Sequence, residues 1–384
     1  MPAFRLRNPT EILFGQRQVA EIGHIIPPGT RVLFLFGGGS IKRNGAYEQA
    51  IAALSECHVV EFGGIEANPV YETILEAAEL CRTEGVEFVL AVGGGSVVDA
   101  GKFLATIVSL HDVDAWDYLA AGNPARSVLP VGAILTLPAT GSESNPVSVI
   151  SHRSKQMKLP FANEDARPRF AVLDPNFMAT LDRRQLENGV VDAFTHVVEQ
   201  YLTIPANTPV QFGFSETLLR TLIEWGPRLV EKNDHEARET ILWAANQALN
   251  GLIGAGVQQD WSTHMIGHAI TAVCGLDHAR TLTLVMPALL RYKSRDKQEM
   301  LLRYARNVWG IEEPDAASAA EEAITRTEEF FSRMGCPVRF AAIAPMEATP
   351  DAIVAHLEKA GQTALGERGD ITPKDVRTIL ELAA

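Results

Sequence analysis

Cysteine is scarce: only Cys57, Cys81, Cys274 and Cys336 occur in 384 residues, and no two form a CxxC pair. That suits reduced structural thiols in a cytoplasmic protein better than a disulfide framework. Long apolar runs are also missing. Nothing approaches the roughly eighteen residues of a membrane-spanning helix, and the opening MPAFRLRNPTEILFG lacks the apolar core of a secretion signal, so neither export nor membrane insertion is expected. There is no basic tract, and the formal net charge is -13, which argues against nucleic acid or an anionic membrane surface as a partner. Fixed-period repeats and low-complexity linkers are absent too.

What the chain does have is apolar content of 46% against 21% charged residues, enough for a large buried core. Its length exceeds the usual limit of one core, so two domains are expected. In the first half, short apolar runs that end in glycine or proline alternate with amphipathic segments, the pattern of a parallel sheet with crossover helices. RVLFLFGGGSIKRNG (31–45) reads as buried strand, glycine turn and helix start. EFVLAVGGGSVVDAGKFLATIV (87–108) repeats the scheme, AILTLPATGSES (133–144) ends a third strand in a small-residue loop, and RFAVLDPNF (169–177) is the last clear strand. From about Thr180 the apolar period becomes helical. The expected architecture is an α/β dinucleotide-binding domain over residues 1–180 and an all-α metal- and substrate-binding domain over 181–384.

Glycine after a strand lets phosphate approach backbone N–H groups, and the following helix N-terminus adds partial positive charge. One GGGS turn serves equally well as a tight connection without a ligand. Two copies, Gly37 to Ser40 and Gly93 to Ser96, suit the two ends of a dinucleotide, although neither fits the GxGxxG fingerprint. Asp99 falls in the first turn of the second helix, either as a helix-terminal charge or as a carboxylate near the cofactor. The first turn carries no acid for ribose hydroxyls. It carries Ser40, Lys42 and Arg43, a basic small-residue loop suited to a 2′-phosphate, or else two solvated cations.

The second half contains NGVVDAFTHVVEQYL, with Asp192 and His196 at i, i+4 on one otherwise apolar helix face. THMIGHAITAVCGLDH repeats that spacing at His264 and His268, and His278 follows a break at Gly275. A lone buried histidine is commonly satisfied by a backbone carbonyl. A carboxylate and several imidazoles from separate helices instead suit an ion with N/O ligands, Zn²⁺ or Fe²⁺. Aromatic and aliphatic residues around Trp243, Leu252 and Trp261 fit either a substrate pocket or helical packing.

Taken together, GGGSVVDAGK, PATGSES, DAFTHVVEQY and HMIGHAITAVCGLDHARTLTLVMP resemble the iron-containing (group III) alcohol dehydrogenase superfamily, and within it the NADP-dependent butanol dehydrogenase and aldehyde reductase branch. The similarity runs nearly end to end. It implies the dehydroquinate synthase-like fold, one divalent ion (Fe²⁺ or Zn²⁺) held by Asp192, His196, His264 and His278, and His268 beside substrate and nicotinamide. It places pyrophosphate on Gly94, Gly95 and Ser96 with Asp99 adjacent, further cofactor contacts on Thr136, Thr140 and Lys158, and the adenosine ribose on Gly37, Gly38, Gly39 and Ser40 with Lys42 nearby. Many relatives have an aspartate in that first turn and favour NAD(H), so GGGS implies NADP(H). The loop LPATGSE is shorter than the PTTAGTGSE form found elsewhere in the superfamily. The implied activity is interconversion of primary alcohols and aldehydes by hydride transfer, in a cytoplasmic homodimer. A metal-dependent hydrolase or lyase, a polyol or glycerol-type dehydrogenase, and a non-catalytic nucleotide or metal sensor are the competing readings. A phosphate-bearing substrate would call for cations near the histidines, where Arg280 stands alone.

Overall fold

The computed structural model describes residues 2–123, 125–343 and 349–384. Two compact units are present, one formed by residues 7–182 and the other by residues 183–384 together with 2–6.

The first unit is built on a six-stranded sheet of β1 (Glu11–Phe14), β2 (Arg31–Phe36), β3 (His58–Phe62), β4 (Phe88–Gly94), β5 (Val131–Leu137) and β8 (Phe170–Leu173), in the order β1-β8-β5-β4-β2-β3. Every pairing in it is parallel. Strands buried on both faces need apolar side chains in both directions, which is why β2, β4, β5 and β8 read as continuous apolar runs. The edge strands β1 and β3 are only half-buried and were not evident from the sequence. Chain order reverses between β2 and β4: β2 leads outward to β3, and β4 leads the other way to β5. The two GGGS turns therefore leave the carboxyl ends of neighbouring strands at a topological switch point, where open α/β sheets bind ligands.

A hairpin of β6 (Val147–His152) and β7 (Met157–Ala162) lies outside this sheet and packs on the Gly95–Ile107 helix. It presents Lys158. At its far end His152 is sandwiched by Tyr71 and Trp116, with Nδ1 3.0 Å from Glu72 Oε1.

The second unit is helical. Its principal helices are Arg183–Tyr201, Pro209–Lys232, His235–Ala248, Ser262–Cys274, His278–Tyr292 and Ala316–Arg333. Local chemistry sets their limits. Asp234 and Asp315 accept from the backbone N–H of Ala237 and Ser318 as N-caps, and Gly275 ends the Ser262–Cys274 helix with φ of +71°. Among the described residues no helix is long and apolar enough to cross a membrane.

The second glycine turn is glycine-rich for a packing reason. A Cβ on Gly95 would stand 2.5 Å from Thr140 Oγ1, and one on Gly93 would stand 2.6 Å from a Val97 methyl. Gly38, in the first turn, has nothing within 4 Å of its Cβ position. Gly95→Ala is expected to destabilise the protein by about 1–3 kcal/mol, and Gly38→Ala by under about 0.5 kcal/mol. Denaturant midpoints compare the two; equal midpoints would contradict the tight contact with Thr140.

Candidate active site

In the helical unit, the Arg183–Tyr201 helix buries nearly every side chain from Leu186 onward. Asp192 is 4% exposed within it. Three imidazole nitrogens converge on its Oδ1: His196 Nδ1 at 3.7 Å, His264 Nε2 at 3.7 Å and His278 Nε2 at 3.8 Å. These separations are too long for hydrogen bonds. Asp192 Oδ1 and His264 Nε2 are buried and make none. Two ligands each about 2.1 Å from one ion stand roughly 3 to 3.5 Å apart, so a small contraction around a divalent cation satisfies the set. Ligand atoms of Asp192, His196 and His264 lie within 4.8 Å of one another, and the donor set of one carboxylate and imidazoles suits Zn²⁺ or Fe²⁺. His278, at 21% side-chain exposure, is the most accessible of the four.

The electrostatics of the cluster favour positive charge. Burial works to raise the Asp192 pKa, but the facing imidazoles of His196, His264 and His278 hold it well below the usual carboxylate range. Burial works to lower the pKa of His264, and the carboxylates of Glu199 and Asp192 overcome it, pushing it up to about 9.

The other nitrogen of His264 meets a residue that the sequence reading missed. Glu199 Oε2 accepts from His264 Nδ1, while its Oε1 accepts from the backbone N–H of Thr263 at 2.7 Å and of His264 at 3.3 Å. One carboxylate thus caps the Ser262–Cys274 helix and fixes the ring orientation of its histidine, as the outer partner of a metal-binding imidazole does. The signal was available, since Glu199 lies three residues after His196 and seven after Asp192 on the same helix. His278 is placed by its neighbour Asp277, which accepts from Asn188 at 2.9 Å and Arg184 at 2.6 Å. His268 stands with its ring 4.8 Å from that of His278 and 6.2 Å from that of His264. Trp261 packs edge-on to His264 and His196, at 5.4 Å and 6.2 Å, whereas Trp243 is an exposed surface residue.

In the sheet unit, Gly94, Gly95 and Ser96 form the β4-to-helix turn, and Thr140 closes over Gly95. Thr136 is buried on β5. Lys158 Nζ donates to Asn68 Oδ1 at 2.8 Å, and Asn68 N donates to Ser96 Oγ at 3.4 Å, so Lys158 and Ser96 share an intermediary. Asp99 has its carboxylate engaged with the following loop: it accepts from Ser142 Oγ and from Val149 N at 2.9 Å. In the first turn Gly39 has φ of +89° and precedes a short 3-10 turn, Ser40–Lys42, where the sequence suggested the start of an α-helix. Lys42 Nζ lies over the rings of Tyr47 at 4.7 Å and Phe36 at 5.3 Å, which holds its charge beside the glycines.

Residues 9–175 match the iron-containing alcohol dehydrogenase family, and residues 187–383 match the Fe-containing alcohol dehydrogenase family, C-terminal. The chain is 47% identical to the NADPH-dependent aldehyde reductase YqhD of Escherichia coli (strain K12), covering 100% of both chains. It is 36% identical to NADH-dependent butanol dehydrogenase A of Clostridium acetobutylicum, covering 100% of this chain and 99% of the relative. A crystal structure of E. coli K-12 YqhD superposes with a TM-score of 0.98 at 46% identity, over 100% of this chain and 99% of that one.

The geometry predicts the metal stoichiometry of four variants. Asp192→Ala and His264→Ala should purify without the ion, Glu199→Gln should bind it about 10- to 100-fold more weakly, and His268→Ala should retain it. Metal analysis with chelator competition reads all four; a full complement of ion in Asp192→Ala would refute the cluster as its site.

Proposed function

The chain belongs to the iron-containing alcohol dehydrogenase family and is an oxidoreductase of alcohols and aldehydes using NADP(H) and a divalent metal ion, and on that premise we propose the residues that carry the reaction. Asp192, His196, His264 and His278 hold the ion, either Fe²⁺ or Zn²⁺. The reading is carried by the convergence of three imidazole nitrogens on Asp192 Oδ1, an oxygen without a hydrogen bond. A divalent ion held there would supply Lewis-acid polarisation of the substrate oxygen, and a bound nicotinamide would supply or take up the hydride. Glu199 keeps His264 Nδ1 protonated and aims Nε2 at the cluster. His268 supplies the proton to the product oxygen in the reductive direction.

The nucleotide residues are Gly94, Gly95 and Ser96 at the pyrophosphate, with Thr136, Thr140 and Lys158 around it, and Gly37 to Ser40 with Lys42 at the adenosine end. Open space at Gly38 and the charge of Lys42 favour a ribose bearing a 2′-phosphate. The aldehyde reductase direction fits NADP(H) as the reductant. A phosphate-bearing substrate is disfavoured because Arg280, the cation near the histidines, is held by Glu187 at 3.0 Å and by the Gly335 carbonyl at 3.0 Å. Hydrolysis has no use for two dinucleotide turns. A homodimer in the cytoplasm is the assembly and location we infer.

Purified protein with butanal should oxidise NADPH, lose that activity on chelation and regain it with Fe²⁺ or Zn²⁺; cofactor binding without turnover of any aldehyde would favour a sensor instead. His268→Ala should keep the ion and lose about 10²- to 10⁴-fold in kcat. Gly38→Asp should weaken NADPH more than NADH, and an unchanged preference would move the ribose away from the first turn.

A further inference from the structure

The loop from Pro138 to Pro146, between β5 and β6, is almost wholly buried. A buried loop must find partners for its carbonyls inside the protein. Asn145 Nδ2 donates to Gly141 O at 2.9 Å and Thr140 O at 3.3 Å, and Arg167 Nη1 donates to Ser144 O at 2.7 Å. Asn163 N donates to Pro146 O at 3.0 Å, and further partners come from one ammonium. Lys102, with 0% exposure, has four oxygens within reach of its three Nζ protons, Ser142 O at 2.8 Å, Asn145 O at 3.3 Å, Asn145 Oδ1 at 3.2 Å and Val147 O, so that two of them share one donor. Asp99, one helical turn earlier, lies 3.5 Å from the ammonium and takes up Ser142 Oγ and Val149 N. Burial alone would pull Lys102 far down; the Asp99 and Glu143 carboxylates limit its pKa to about 8.

All of this hangs from the helix that begins at the second glycine turn. The gripped loop returns Thr140 to Gly95, where no Cβ fits between them.

We propose that Lys102 and Asp99 are positioning residues for the dinucleotide: from one helix face they fold the 140–147 loop against the Gly94–Ser96 turn and set its shape without touching the nucleotide. The inference rests on that turn being the pyrophosphate site. It recasts Asp99, expected from the sequence to approach the cofactor, as a partner of the loop. It also gives Lys102, which the sequence reading left without a role, the part of a fixed internal cation.

The test uses full-length, metal-loaded protein titrated with NADPH and with NADH by nicotinamide fluorescence. Lys102→Met should raise both dissociation constants by about tenfold or more and by the same factor, leaving cofactor preference and metal content as in the parent; in turnover, KM for NADPH should rise far more than kcat falls. A folded, metal-loaded Lys102→Met protein with parental affinity overturns the proposal. Asp99→Asn, which keeps the size and the acceptor for Val149, should show a smaller rise in the same direction, and an unchanged value there overturns the proposal where Lys102→Met does not fold. Gly94→Glu separates the two readings, because its Cβ would meet only Leu137 Cβ at 3.4 Å. Unaltered NADPH binding in that variant refutes the pyrophosphate site and the inference with it. Lost binding in Gly94→Glu beside parental affinity in Lys102→Met refutes the positioning role alone.

Discussion

A carboxylate oxygen that faces three imidazoles inside an apolar helical bundle, without a hydrogen bond, sets the terms for everything around it. Asp192 lies in the Arg183–Tyr201 helix, which also buries Glu187, Thr195, His196, Glu199 and Gln200. Isolated buried charge is costly. Several of these groups find partners in the protein: Arg280 and Arg183 pair with Glu187, Val191 O accepts from Thr195, His264 meets Glu199, and Gln200 donates to His196 O and Ala248 O. Asp192 Oδ1 stays without a hydrogen bond, faced by His196 of its own helix and by His264 and His278 of two others.

Much of this centre was legible in the sequence because helical spacing is short-range. Asp192 with His196, and His264 with His268, advertise a common face through i, i+4 separation, and Gly275 marks the break before His278. Glu199 obeyed the same periodicity but reads as an ordinary acidic residue until the Ser262–Cys274 helix is brought against it. Its importance comes from a contact across 65 residues, which no local pattern encodes.

In the sheet unit the central strands announced themselves as apolar runs, since burial on both faces leaves no alternation. The edge strands and the β6–β7 hairpin did not. VSVISH and MKLPFA mix small, polar and proline residues over six positions, and their pairing depends on packing against a helix that lies elsewhere in the chain. Asp99 shows the limit of positional reasoning. The sequence placed it in a first helical turn, as a helix-terminal charge or a carboxylate near the cofactor, whereas the helix begins at Gly95, Asp99 is its fifth residue, and its oxygens accept from Ser142 and Val149, more than forty residues on.

Residues 2–6 contribute a different constraint. They belong with the helical unit, where Phe4 packs over Gly256 and Leu6 reaches Gly251, before the chain turns to supply β1 to the sheet. The sheet unit is thus one continuous stretch, while the helical unit draws on both sides of it. During vectorial synthesis the sheet can close as soon as its own residues have emerged, but the leading segment must wait unpaired until residues 251–256 follow. The helical unit, and with it the imidazole cluster around Asp192, closes after the sheet unit.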